Sequence, residues 1–228
     1  MRNIAKYLCL FSLAFVIGAC SGMNDKIDPY LSQGEIVYIA KSDSVHVFSG
    51  KNRFLVSFWN KDPRATKMEF LWNRNKNSKV VDLAPDRDIT VPVDVIIDEL
   101  VEGDYTFSML THDEFGNSSI PDVHVVKVYG DVFQQMITQR GVKSHSVSGN
   151  KVTINWGNSY SSKEWGILLS YTDVSGNATS KKIEKAVLGS KTTLENVDVT
   201  KELSYQTLYL PEATAIDTFY VAKTVLLP

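Results

Sequence analysis

The sequence predicts an all-β chain of two tandem antiparallel β-sandwiches behind an export leader. Three observations predict it. Short runs alternate apolar and polar residues with period two. Turn-forming residues break these runs about every 8 to 12 residues, the spacing of a sandwich. The second half of the chain repeats the first in outline, with no sustained helical period between them.

Residues 1–19 read as a leader. Arg2 and Lys6 precede an uncharged apolar run from Tyr7 to Ile17, and Ile17-Gly18-Ala19 leads into Cys20. The run falls short of the roughly 20 residues that span a bilayer. Ile17 to Cys20 resembles a bacterial lipobox, which implies a diacylated Cys20 and stable anchoring without a crossing. Serine rather than aspartate follows Cys20, which favours the outer membrane and the cell surface. Residues 20–34, broken by Pro29 and ending in Gly34, suit a lipidated tether.

Residues 35–130 form the expected first sandwich. Phe54, Val56 and Phe58 share one face of a strand, and Met68, Phe70 and Trp72 share one face of the next, with Trp72 assigned to the core. Trp59, opposite in alternation to Phe58, faces outward. Around Pro92 the pattern is that of an edge or interrupted strand, because proline lacks an N–H for the ladder. Tyr105, Phe107 and Met109 line the inner face of a further strand, and "VHVVKVY" closes the sandwich. Residues 131–228 hold a joint and the second sandwich. "DVFQQMITQR" either makes a short helical turn or runs straight into the first strand. Val152, Ile154 and Trp156 then repeat the first inward triplet, and Ile167, Leu169 and Tyr171 the second. Strands follow at "ATSKKIE", "KTTLEN", "LSYQTLYL" and "DTFYVAK", with Gly176-Asn177 as a hairpin turn.

Leu100-x-x-Gly103-x-Tyr105 ahead of a strand resembles the fibronectin type III module, one residue shorter than its usual Leu-x-x-Gly-x-x-Tyr. The resemblance implies fibronectin type III or immunoglobulin-like sandwiches and a tyrosine corner at Tyr105. The lipobox, "GEIVYIAKSDSVHVFSGKNR", "VYGDVF" and "YQTLYLPEATAIDTFY" are similar to a Bacteroidetes family of surface lipoproteins of unknown function, often found beside glycan-uptake genes. That resemblance implies an accessory, non-enzymatic envelope protein.

The acidic stretch Asp113-Glu114-Phe115-Gly116-Asn117 reads as a turn. Adjacent acids point apart on an extended chain, and their spacing matches no calcium loop. His46, His112, His124 and His145 are scattered, and no nucleophile elbow, zinc motif or phosphate loop is present. No catalytic residue, metal site or cofactor is expected. With both cysteines in or at the end of the leader, no disulfide or cysteine-based site remains. The formal net charge of −2, without a basic run, argues against nucleic acid. "GNSYSSKEW" joins two strands of the second half, and there Tyr160 and Trp165, with Asn158 and Glu164, are the expected ligand-binding group. Asp43-Ser44-Val45 resembles a short O-glycosylation motif, with Ser44 as acceptor. The expected role is a binding or spacer module in a glycan-handling assembly. Its expected partners are the membrane, through the anchor, and polysaccharide or envelope glycan-uptake proteins. The alternative is a structural or adhesion protein docking a protein partner.

Overall fold

A computed structural model describes residues 37–228. The leader, Cys20 and the tether lie outside the described residues.

The first half folds as two facing sheets. Strands β1 (Ser44–Ser49), β2 (Phe54–Trp59) and β5 (Val93–Ile97) form one, in the order β1-β2-β5. Strands β3 (Lys67–Trp72), β4 (Asn77–Asp82), β6 (Gly103–His112) and β7 (Asp122–Val128) form the other, in the order β4-β3-β6-β7. Every neighbouring pair is antiparallel. Pro92 stands just before β5, where its missing N–H costs the ladder nothing, and β5 is an edge strand. The core between the sheets holds Phe54, Val56, Phe58, Met68, Phe70, Phe107 and Met109, each at most 2% exposed. These are the residues the alternation turned inward. Trp72 and Tyr105 are exceptions: both pack on the core but stay half-buried, and the strand of Trp72 ends there as the chain turns away.

The second half repeats this topology. Strands β8 (Val142–Ser148), β9 (Lys151–Trp156) and β12 (Lys191–Leu194) form a sheet ordered β12-β9-β8. Strands β10 (Glu164–Thr172), β11 (Ala178–Glu184) and β13 (Leu203–Tyr209) form its partner, ordered β11-β10-β13. The strand that should close this sheet along β13 is broken into β14 (Phe219–Tyr220) and β15 (Thr224–Leu227). Only two residues of the expected "DTFYVAK" strand pair, because residues 210–218 leave the sheet to reach the first sandwich. Val152, Ile154, Trp156, Ile167 and Leu169 fill the second core. A one-turn helix at Lys185–Leu188, with Leu188 buried, follows β11 and had no signature in the alternation.

Turn chemistry is explicit at two places. Asp113 Oδ1 accepts from the backbone N–H of Phe115 (2.9 Å) and Asn117 (2.8 Å), its Oδ2 accepts from Asn117 Nδ2 (2.7 Å), and Gly116 has φ +87°. Asp173 repeats the device with Ser175, Gly176 (φ +87°) and Asn177. Hydrogen bonds to the ionised form hold both carboxyls below the usual aspartate range. The acidic stretch is therefore a hairpin turn whose carboxylate is already satisfied. Tyr105 Oη donates to the Val101 carbonyl at 2.9 Å, a tyrosine corner closed four residues upstream.

The joint contains a short helix, α1 (Asp131–Met136). Its first residue follows Gly130, which has no side chain to cap it. The Glu102 carboxylate supplies the cap, accepting from Val132 N–H (2.7 Å) and Phe133 N–H (3.1 Å). The helix is thereby tied to the first sandwich at its start.

A candidate binding cleft at the domain junction

Four aromatic residues meet where the two sandwiches join. Tyr129 ends the first, Phe133 lies on α1, and Tyr209 and Phe219 flank the 210–218 excursion; each is 5% exposed or less. Their rings pack edge to face, Tyr129 on Phe133 at 5.2 Å and Phe133 on Phe219 at 4.9 Å between centroids.

The excursion clasps the first sandwich through polar contacts. Ile216 N–H donates to the Ser49 carbonyl (2.8 Å), and Ser49 Oγ and Tyr129 Oη both donate to the Glu212 carboxylate (2.9 Å each). Asp217 accepts from Lys51 N–H (2.8 Å), Arg53 Nε (2.9 Å) and Arg53 Nη2 (2.6 Å). Arg53 beside it holds the Asp217 carboxyl below its ordinary value. Burial, reinforced by Glu212, pushes the Tyr129 phenol up to about 12. Gly50 makes this approach feasible: a β-carbon there would stand 2.6 Å from Asp217 Oδ2 and 2.8 Å from Ile216 Cγ1.

Beside the clasp opens a cleft of about 320 Å³. Its floor is Tyr129, Phe133 and Tyr209; Met136 and Tyr160 stand at its rim, 66% and 85% exposed. The hydroxyls of the floor are consumed inside the protein, Tyr129 by Glu212 and Tyr209 by the Thr138 carbonyl at 2.7 Å. The floor thus offers carbon surface. Polar reach comes from Lys127, Lys163 and Ser161. The Lys163 ammonium lies 5.3 Å from the Tyr129 ring centre and 5.5 Å from that of Phe133, and donates to the Pro211 carbonyl at 2.8 Å.

The loop that carries Tyr160 is tied at both ends. Gly157 N–H donates to the Gly141 carbonyl (2.7 Å), Ser159 Oγ and Lys185 Nζ both donate to the Ser161 carbonyl (3.1 and 2.8 Å), and Lys163 N–H donates to Ser161 Oγ (3.1 Å). An exposed tyrosine is therefore held on ordered backbone.

Of the expected group, Tyr160 alone lines this cleft. Asn158 is exposed outside it. Trp165 is half-buried on β10, with Lys182 Nζ 3.9 Å from its ring centre, so a cation already covers one face. Glu164 requires a correction: it points inward, its side chain 1% exposed, and pairs with Arg140 at 2.8 Å. The cause is an irregularity in the β10–β13 register between Glu164 and Gly166, which turns Glu164 in and Trp165 out. Strict alternation from Ile167 and Leu169 gives the reverse. The cleft residues the sequence did not single out are Tyr129, Phe133, Lys163 and Tyr209. Their signal is the density of aromatics in "VYGDVF" and "YQTLYLPEATAIDTFY", two runs far apart in the chain that meet here. Ser44 is exposed at the start of β1, and Cys20 lies outside the described residues. Among the described residues no three histidine, aspartate or glutamate side chains converge on a metal-sized site.

Fold and junction together define a tandem fibronectin type III-like protein with a clasped elbow. Residues 20–219 match DUF4998, a domain of unknown function, and the chain belongs to that family. No curated protein matches the chain. Among solved structures it is similar to a two fibronectin type-III domain segment from chicken tenascin, at 11% identity over 83% of this chain and all of that one, TM-score 0.33. It is also similar to the chicken CNTN1 FN1-FN3 domains, at 10% identity over 84% of this chain and 64% of that one, TM-score 0.45.

Proposed function

We propose that this protein is a non-enzymatic, lipid-anchored cell-envelope binding module that holds a saccharide in the junction cleft. The observation that carries the reading is Tyr160, 85% exposed on a tied loop above a floor of Tyr129, Phe133 and Tyr209. A pyranose ring stacks its C–H face on such a side chain, while the Lys127 and Lys163 ammoniums donate to ring hydroxyl oxygens. Concave, mostly apolar sites with a few convergent polar groups are the usual form of small-ligand pockets. Anchoring through Cys20 places the cleft at the end of a tether on the outer membrane, where polysaccharide is met.

The test is migration in native gels cast with single soluble polysaccharides: xylan, mannan, dextran and polygalacturonate. At least one retards the wild-type protein, and Tyr160→Ala weakens the retardation about tenfold in apparent Kd while the melting temperature stays the same. Equal retardation of both proteins refutes the cleft as the site. Membrane fractionation tests the anchor separately, since Cys20→Ala moves the protein to the soluble fraction if the cysteine is lipidated. The second reading, docking of a protein partner, is favoured by edge strand β7, where Val123 and Val125 are 58% and 75% exposed.

A further inference from the structure

A second cleft, of about 490 Å³, lies wholly within the first sandwich. It arises from a mismatch of strand lengths. The β3–β6 ladder ends at the pair Trp72 and Phe107, yet β6 continues back to Gly103, paired there only with β7. Residues 103–106 therefore have no partner on the β3 side, and the space alongside them is left open.

The walls of that space are built from backbone in the left-handed region. Asn73, Arg74 and Asn75 have φ of +53°, +56° and +61° in the hairpin between β3 and β4, and Glu99 has φ +57° in the connection facing it. Asparagine tolerates this conformation; arginine and glutamate adopt it far less readily. The hairpin is closed by Asn73 Nδ2 donating to Asn77 Oδ1 at 3.0 Å. Charges then face each other across the cleft without meeting. Arg74 stands on the hairpin wall, with Glu99 and Asp104 on the other, and among the described residues none of the three makes an ion pair or a side-chain hydrogen bond. Opposite charges in one cleft that remain apart leave a guanidinium donor on one side and carboxylate acceptors on the other. Half-buried Trp72 lines the same cleft.

We infer that this cleft is a second saccharide subsite, specific for a neutral sugar whose ring stacks on Trp72 and whose hydroxyls bridge Arg74 to Asp104. A hydroxyl both donates and accepts, so one neutral ring satisfies both walls. The walls carry one cation and two carboxylates, so the net negative cleft disfavours a uronate anion, whereas a neutral ring meets both walls without repulsion. The inference rests on the saccharide reading above but uses different residues, so the two fail separately.

The experiment uses the full chain in the same gels. Arg74→Asn keeps a residue that tolerates the left-handed turn, and Asp104→Asn keeps the shape of the side chain. Each weakens retardation by xylan, mannan or dextran about tenfold in apparent Kd, the usual scale for losing one charge-assisted hydrogen bond. Retardation by a neutral polysaccharide that survives in both variants, or retardation by polygalacturonate alone, overturns the inference. If that surviving retardation is weakened in Tyr160→Ala, the junction reading stands and this one falls. Loss in Arg74→Asn and Asp104→Asn with Tyr160→Ala unaffected gives the reverse. No retardation of wild type by any neutral polysaccharide overturns this subsite, and failure of polygalacturonate as well overturns both readings.

Discussion

Replacing Asp217 by alanine removes three hydrogen bonds from the clasp at once: one from Lys51 N–H and two from Arg53. Hydrogen bonds to an ionised group contribute about 1.5 to 3 kcal/mol when well shielded. Here the Arg53 side chain is 40% exposed and Asp217 19%, so water recovers much of that on removal. The net loss is about 1 to 2 kcal/mol, which lowers the melting temperature of a domain this size by on the order of 5 to 10 °C. The assay is thermal unfolding followed by circular dichroism, with Glu195→Ala as control. Glu195 makes an exposed pair with Lys151 and contributes about 0.5 kcal/mol or less. The pH dependence has a definite sign. Because the folded pKa of Asp217 is depressed, its stabilisation is complete above the unfolded value of about 3.9 and disappears as pH falls through the folded value. Wild type and Asp217→Ala therefore differ at pH 7 and converge near the acid limit. Equal melting at pH 7, or a difference that does not shrink as the pH is lowered below about 3.9, refutes the account of the clasp.

Other substitutions test the remaining supports. Arg140→Met leaves the Glu164 carboxylate buried without its partner and costs about 3 to 5 kcal/mol, whereas adding Glu164→Leu restores most of it; denaturant midpoints decide. Tyr105→Phe loses the bond to the Val101 carbonyl and costs about 1 kcal/mol in the same measurement. Gly50→Val drives its side chain into Asp217 and Ile216, so small-angle scattering shows a larger radius of gyration as the elbow opens.

The cores were legible because alternation is a local signal. Phe54, Val56, Phe58, Val152, Ile154 and Trp156 announce their faces within six residues each, and both triplets are buried. Tyr105 was legible because its corner needs only the five residues before it. Strand β8 was not, since Val142–Ser148 is polar and nearly all exposed, with no apolar face to betray it. The junction was not legible either. It joins residues 49–53, 129–133 and 209–219, and no periodicity relates segments so far apart. Glu164 shows the limit most clearly, because one irregularity in register turned it into the core although the sequence placed it in the exposed ligand-binding group.

The most direct test of the junction cleft is methyl NMR on protein labelled at its five methionines. Met136 stands at the rim of the cleft, 66% exposed, while Met68 and Met109 lie in the first core at 2% or less. Titration with oligosaccharides cut from the polysaccharide that retards the protein is predicted to move the Met136 methyl signal and leave those of Met68 and Met109 in place. A Met136 signal that stays still while the oligosaccharide binds contradicts the account.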